Sequence, residues 1–168
     1  MDKKLPFFPH VINATLLFAL AFNLIYFLHE AALVLAGAAW GNEPVLYHNN
    51  MSYLNMARPE QVLAFAFGPL AVLGGGLGCW IALALLKRAS YAARTLLLWM
   101  GFHGLFLCFI QMPSLAFGAH PTDLAKAVLY FEPNAFVRTA SAALGFAGLL
   151  CLGIVTRKLL LRHAPSHE

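Results

Sequence analysis

The 168-residue chain is 61% hydrophobic and only 11% charged, with a mean hydropathy of +0.72, whereas a soluble domain carries about 25% charged residues. This composition excludes a water-soluble globular protein and predicts an integral membrane protein whose main surroundings are the lipid bilayer. The net charge of +4 does not indicate a nucleic-acid partner, because the cations alternate with the apolar segments of the chain.

Four apolar segments are long enough to cross the hydrocarbon core of a bilayer, which takes about 20 helical residues. They cover residues 11–40, 60–86, 91–117 and 134–161. We therefore predict a single all-α transmembrane domain, residues 1–168, built from four helices.

Two loop segments have patterns of their own. The segment Val45–His48 could form a short strand or an interfacial stretch. Residues 122–131 begin with Thr122, a good N-cap residue, and place Leu124 and Val128 on one helical face. This pattern predicts a short helix lying at the membrane interface.

The basic residues predict how the chain is oriented. Eight of them precede the first span, separate the second from the third, or follow the fourth: Lys3, Lys4, Lys87, Arg88, Arg94, Arg157, Lys158 and Arg162. Only Arg58, Lys126 and Arg138 fall in the other loops or at their edges. By the positive-inside rule both termini lie in the cytoplasm, and the short loops and strong bias suit a bacterial inner membrane.

The most informative polar pair inside a span is His29-Glu30. A carboxylate at such a depth must be protonated, paired or bound to a cation. Asn23 lies two helical turns before Glu30 and Tyr26 one turn before it, so we expect a buried polar cluster of Asn23, Tyr26 and Glu30. Such a cluster could equally serve only to fix the packing of the helices.

His103, in the third span, is the other histidine within an apolar segment. A histidine on each of two helices could hold a metal, or His103 could hydrogen-bond to Glu30. Membrane proteins that hold haem between two histidines usually have more histidines within their spans than His29 and His103, so we do not expect haem. The simplest expectation is no cofactor, with zinc as the alternative.

Two G-x-x-x-G pairs, Gly37/Gly41 and Gly74/Gly78, lie in the first two segments. Small residues at this spacing let helix backbones approach closely. The pairs predict packing either within the chain or against a membrane-protein partner or a second copy.

The first half of the chain resembles the site-2-type intramembrane metalloproteases. In that family a His-Glu-x-x-His motif binds zinc in a helix that ends at a glycine before a strand-like segment. Here His29-Glu30 matches the start of the motif, Gly41 matches the glycine, and Val45-Leu46-Tyr47 matches the strand-like segment. Phe67-Gly68-Pro69-Leu70-Ala71 is similar to the family's Gly-Pro-Leu-Ala element, and Pro121-Thr122-Asp123 to its Asp-Gly element. The resemblance implies that His29 and Asp123 are metal ligands and that Glu30 is the catalytic base.

Three departures bear on the chemistry. Position 33 is Leu where the motif has its second histidine, and Leu124 replaces the glycine after the acid. Val72 replaces a polar residue that the family often has after its Gly-Pro element. A catalytic zinc needs three protein ligands and a water. The predicted orientation also places His29 nearer the outer face, whereas the family's site lies nearer the cytosol.

Three interpretations remain open. The chain could be a non-catalytic relative that acts as an accessory subunit for a membrane partner. It could be a divergent zinc-dependent intramembrane protease in which His103 or another group replaces the missing ligand. It could also be an unrelated four-helix accessory protein. We favour a binding role without chemistry. A protease requires that His29 and Asp123 lie within reach of a common metal. A binding subunit requires that a small-residue face such as that of Gly74 and Gly78 be exposed.

Overall fold

The structure, a computed structural model, describes residues 7–46, 51–54, 58–118 and 122–163. The helices are α1 (Phe7–Ala39), α2 (Phe67–Leu85), α3 (Tyr91–Phe109), α4 (Ser114–Phe117), α5 (Asp123–Leu129) and α6 (Ala135–His163), and a 3₁₀ helix, Pro59–Ala66, runs directly into α2. Within these residues four helical segments are long and apolar enough to cross a membrane: Val11–Ala39, Pro59–Leu85, Tyr91–Phe117 and Ala135–Arg162. The prediction of four such helices is confirmed.

The first span ends at a glycine for a conformational reason. Gly41 has a φ of +76°, in the left-handed region that side chains with a Cβ avoid. Its amide donates to Ala38 O and the amide of Asn42 donates to Gly37 O, the paired bonds of a Schellman cap. The chain then turns into β1 (Pro44–Leu46), which pairs antiparallel with β2 (Met51–Tyr53). Val45 and Leu46 of the expected strand lie in β1, whereas Tyr47 and His48 lie outside the described residues.

The second and third spans differ from the expected uninterrupted helices. The second opens as a 3₁₀ helix, and the third breaks after Phe109 into a turn before α4. Pro113 lies in that turn and has no amide hydrogen to continue the α-helical ladder. Helix α5 packs against the 3₁₀ helix, and Tyr53 of β2 joins the buried cluster that these two helices form.

Glycines set the closest helix contact, between α2 and α3. A Cβ added at Gly76 would lie 3.0 Å from Gly104 Cα and 3.1 Å from Gly101 O, so the two backbones are almost in contact. Helix α1 packs against both α2 and α3, and α6 packs against α3 and α4. Lipid offers no hydrophobic driving force between helices, so close backbone approach of this kind is a main source of association.

The two ends of the bundle differ in charge. We call the end that carries β1, β2, the 3₁₀ helix and α5 the hairpin end, and the end formed by the α2–α3 turn and the last turns of α6 the basic end. The carboxylates of the described residues all lie towards the hairpin end: Glu30, Glu43, Glu60, Asp123 and Glu132. The basic end carries Lys87, Arg88, Arg94, Arg157, Lys158 and Arg162.

Candidate functional site

A cluster of three ionisable residues, of which His29 and Glu30 are buried and Asp123 is partly buried, lies towards the hairpin end. His29 and Glu30 of α1 are 6% and 8% exposed, and His29 Nδ1 lies 3.2 Å from Glu30 Oε1. Asp123, the first residue of α5, brings its Oδ2 to 3.7 Å from His29 Nε2. The fold thus brings together His29 and Asp123, the two residues that the family resemblance pairs.

The position of Asp123 is fixed by Gln111, at the end of the third span. The Leu124 amide donates to Gln111 Oε1 at 3.0 Å, and the Thr122 hydroxyl donates to Gln111 O at 3.1 Å. Thr122 also caps α5, because its hydroxyl accepts from the Ala125 amide. The start of α5 is therefore attached to the turn after α3 by hydrogen bonds on both sides of Asp123. Sequence patterns gave no sign of this role for Gln111.

The second oxygen of Asp123 is paired with a cation. Lys126 Nζ lies 3.0 Å from Asp123 Oδ1 and 4.1 Å from the centre of the Phe65 ring. The ammonium group is thus held by both a carboxylate and an aromatic face, a favourable placement for a cation. Asp123 consequently presents only Oδ2 to His29.

Gly68 and Leu33 shape the pocket around the imidazole. A Cβ added at Gly68 would lie 2.7 Å from His29 Nε2 and 2.8 Å from Leu33 Cγ, so the start of α2 can reach the histidine only as glycine. Leu33 lies one turn after His29 and is 1% exposed. It occupies the place that a second histidine would have in the family motif.

The hydrogen bonding of the cluster is incomplete at His29 Nε2. Neither His29 Nε2 nor Glu30 Oε2 has a hydrogen-bond partner, although both are buried. If Nδ1 carries the proton and donates to Glu30, the lone pair of Nε2 faces a carboxylate oxygen of Asp123. Two acceptors face each other stably only with a proton or a metal cation between them.

The separation of His29 Nε2 and Asp123 Oδ2 can be compared with that of two zinc ligands. Two ligands bonded to zinc at about 2.0–2.2 Å with tetrahedral angles lie roughly 3.3–3.6 Å apart, and the distance of 3.7 Å between His29 Nε2 and Asp123 Oδ2 lies just above that range. A carboxylate on the other imidazole nitrogen is also a frequent partner of metal-bound histidine. However, no group of three or more His, Cys, Asp or Glu among the described residues has an arrangement that could hold a metal. His29 and Asp123 would supply two of the three protein ligands that a catalytic zinc needs. No catalytic step through zinc follows from this arrangement.

His103 does not join the cluster. Its ring contacts Phe18 and Phe22, with centroid distances of 4.5 and 5.4 Å. These residues precede His29 by two to three turns of α1, about 10–16 Å along the helix axis. The structure therefore leaves His103, expected as a possible third ligand or a partner of Glu30, among aromatic rings at a different depth.

The expected polar cluster is present only in part. Tyr26 stacks on His29 with ring planes 20° apart and lies beside Glu30. Asn23 is exposed and its amide donates to Ala19 O of its own helix at 2.8 Å, so it stands apart. Although Asn23 shares a helical face with Glu30, it lies two turns further from the hairpin end, about 10 Å along the helix axis.

Tyr53, which sequence patterns did not single out, supports the cluster from the hairpin. Its hydroxyl donates to Leu33 O at 2.8 Å. Burial first, and then the charges of Asp123 and Glu30, raise the pKa of Tyr53 above its usual value. A Cβ at Gly37 would overlap the Tyr53 ring. Gly37 therefore makes room for a tyrosine rather than for another helix.

The other predicted glycine pair has an open surface. A Cβ added at Gly74 or Gly78 would meet nothing within 4 Å among the described residues, and both glycines are exposed. Gly41, the partner of Gly37 in the sequence pattern, ends α1. The two G-x-x-x-G pairs thus have unrelated structural roles.

Comparison with known proteins provides no further guide. No family model, curated protein or solved structure matches this chain.

Proposed function

We propose that the protein is a non-catalytic relative of the site-2-type metalloproteases that acts as a binding subunit for a helical membrane partner. The observation that carries the proposal is the open glycine strip of α2, defined as Gly74 and Gly78 with the exposed aliphatic side chains around them. Leu70, Leu77, Ile81 and Leu85 border the two glycines and are 46–74% exposed. Glycines between large side chains form a shallow groove into which a second helix backbone can pack.

The contrast with the other glycines of the bundle supports this role. Gly76 and Gly104 have their Cβ positions blocked by backbone atoms of the neighbouring helix, so their packing function is fulfilled within the chain. Gly74 and Gly78 lie on another face of α2 and have no such contact. The occupant we propose for the strip is a membrane-spanning helix of another protein.

Two features of the cluster support a role without peptide hydrolysis. Leu33 occupies the position of the missing histidine, and the region around His29 Nε2 is closed by Gly68. The cleft of about 550 Å³ at the hairpin end is lined by Trp40, Arg58 and their neighbours rather than by the cluster. In this proposal His29, Glu30 and Asp123 hold α5 on α1 as an ionic contact.

We further propose that both termini lie in the cytoplasm of a bacterial cell and that the hairpin end faces outwards. The concentration of Lys and Arg side chains at the basic end supports this orientation. Labelling of single cysteines introduced at Arg88 and at Glu132 with a membrane-impermeant reagent tests it. Only the second should react in intact spheroplasts, and the reverse pattern would contradict the orientation.

The binding role is tested by placing a photoreactive amino acid at Leu77 in the strip and, as a control, at Leu150, which is 71% exposed on α6. We expect a discrete adduct from position 77 that is lost in Gly78→Ile. Gly153→Ile is the matched control, because Gly153 also has nothing within 4 Å of its Cβ position, and it should leave the adduct unchanged. An adduct of twice the chain mass would identify a second copy instead, and adducts insensitive to Gly78→Ile would contradict the proposal.

A divergent zinc-dependent intramembrane protease is the second candidate, and the approach of Asp123 to His29 Nε2 specifically favours it. His29 and Asp123 would then hold the metal, which would supply an activated water, and the resemblance would give Glu30 the role of general base. The test is the zinc content of purified wild type, His29→Ala and Asp123→Asn, with His103→Gln as the control. Near-stoichiometric zinc that is lost in the first two variants and kept in the control would favour the protease.

A further inference from the structure

A cleft at the basic end has the shape and lining of a lipid site. It has a volume of about 690 Å³ and lies between α2 and α6 across the start of α3. Its rim carries three cationic side chains, Lys87, Arg94 and Arg162. Its walls are apolar, formed by residues that include Trp80, Leu83 and Val155.

The cleft continues towards the bilayer centre as a narrower apolar groove. This groove, of about 180 Å³, is lined by Leu105, Phe109, Gly148, Cys151 and Leu152 and shares Trp80 and Val155 with the cleft. The combined surface is therefore basic at the membrane surface and apolar below it. A phospholipid has the complementary arrangement, with a charged headgroup above acyl chains.

The rim gathers three cations at one end of the bundle, whereas the carboxylates of the described residues lie towards the hairpin end. Arg94 is held in place, because its Nη1 donates to Lys87 O of the α2–α3 turn at 2.9 Å. Basic pockets between transmembrane helices are a known form of anionic headgroup site.

We propose that this cleft binds one anionic phospholipid, with its phosphate among Lys87, Arg94 and Arg162 and an acyl chain along the groove past Trp80. The site uses neither the glycine strip of α2 nor the His29 cluster, so it stands independently of the proposed function. The occupant is a lipid rather than free phosphate because the apolar groove below the cations offers a surface for an acyl chain, which free phosphate lacks.

Trp80 allows the site to be observed directly. In the full chain with Trp40→Phe and Trp99→Phe, Trp80 is the sole tryptophan, and brominated acyl chains quench a tryptophan that they touch. The protein is reconstituted in mixtures of brominated and ordinary lipid, once with phosphatidylglycerol and once with phosphatidylcholine as the brominated component. We expect phosphatidylglycerol to bind beside Trp80 roughly 30- to 150-fold more strongly than phosphatidylcholine, as two to three nearby cations would produce.

The charge requirement is tested with matched variants. Lys87→Gln/Arg162→Gln removes two exposed rim cations and leaves Arg94 and its hydrogen bond in place, and it should remove most of the preference. Arg88→Gln/Arg157→Gln removes the same charge from the same end but away from the cleft, and it should keep the preference. Equal loss in both pairs would show diffuse surface attraction and overturn the proposal.

Two further outcomes are decisive. The absence of quenching by either brominated lipid would show that the groove is closed to acyl chains, for example by a partner helix, and would overturn the proposal. Inorganic phosphate at millimolar concentration should not reduce the preference, because it cannot occupy the groove. If phosphate alone removed the preference, the site would be one for a free anion.

Discussion

Replacing Leu33 by histidine should convert the cluster into a complete metal site. Position 33 lies one turn after His29, and two histidines four residues apart share a helical face and can hold one zinc. Leu33 Cγ and His29 Nε2 both lie within 2.8 Å of the Cβ position at Gly68, which places them no more than about 5.5 Å apart. The new imidazole would therefore begin beside the existing one and on the Asp123 side of α1.

The expected change in stability can be estimated for both states. Without metal, Leu33→His buries a polar ring where no partner is available, at a cost of about 1–3 kcal/mol. With zinc at 100 times its dissociation constant, binding returns about 2.7 kcal/mol. For a chain of this size each kcal/mol corresponds to about 2–4 °C in the unfolding midpoint, so zinc should restore roughly the wild-type midpoint.

The assay is the thermal unfolding midpoint in detergent, measured with chelator and with zinc and accompanied by metal content. Leu33→Gln is the matched control, since it adds a buried polar group that is a poor zinc ligand. Asp123→Asn in the Leu33→His background should remove the effect of zinc. A folded Leu33→His protein whose midpoint responds to zinc no more than that of Leu33→Gln would refute the inference that His29 and Asp123 form part of a ligand set.

Three further substitutions test the packing and the support of the site. Gly104→Ala should destabilise the bundle by about 1–3 kcal/mol through overpacking, whereas Gly78→Ala should change the unfolding midpoint hardly at all. Gln111→Leu should cost about 1–3 kcal/mol, because it leaves the amide after Asp123 without its acceptor, and protease sensitivity near α5 should rise. Because the pKa of Tyr53 is raised on folding, its neutral form stabilises the protein below the ordinary tyrosine pKa of about 10, and stability is lost as the pH rises above that value. Tyr53→Phe should remove this alkaline loss, measured by unfolding against pH alongside tyrosinate absorbance.

The number of membrane-length helices was predictable because it depends on composition and length alone. The interruption of the third span was missed, although Pro113 was a visible signal, because apolar residues continue on both sides of it. The opening of the second span as a 3₁₀ helix could not have been read from residues 59–66. It depends on contacts such as Gln61 Nε2 donating to Trp40 O, which exist only after the hairpin has formed.

The approach of Asp123 to His29 was predictable only through the family resemblance. No local periodicity links α1 with a seven-residue helix near the other end of the chain. What fixes the pair is Gln111, whose side chain and backbone bind the start of α5. A glutamine near the end of an apolar span gives no indication of which backbone groups it will meet.

Identical spacing predicted one role for two glycine pairs, and the fold gives them different roles. Gly37 faces the Tyr53 ring and Gly41 ends a helix at positive φ, whereas Gly74 and Gly78 face outwards. The spacing specifies only that two residues share a helical face. What covers that face depends on the rest of the fold. The hairpin after α1 covers Gly37, whereas no described residue covers Gly74 or Gly78.

Leu33 and Gly68 limit what can bind between His29 and Asp123. Leu33 occupies the position in which the family motif has its second histidine, and a Cβ at Gly68 would already meet both His29 Nε2 and Leu33 Cγ. A metal ion between His29 Nε2 and Asp123 Oδ2 would therefore have two protein ligands, whereas a catalytic zinc needs three. The other oxygen of Asp123 is paired with Lys126, so this carboxylate already has a cationic partner without a metal.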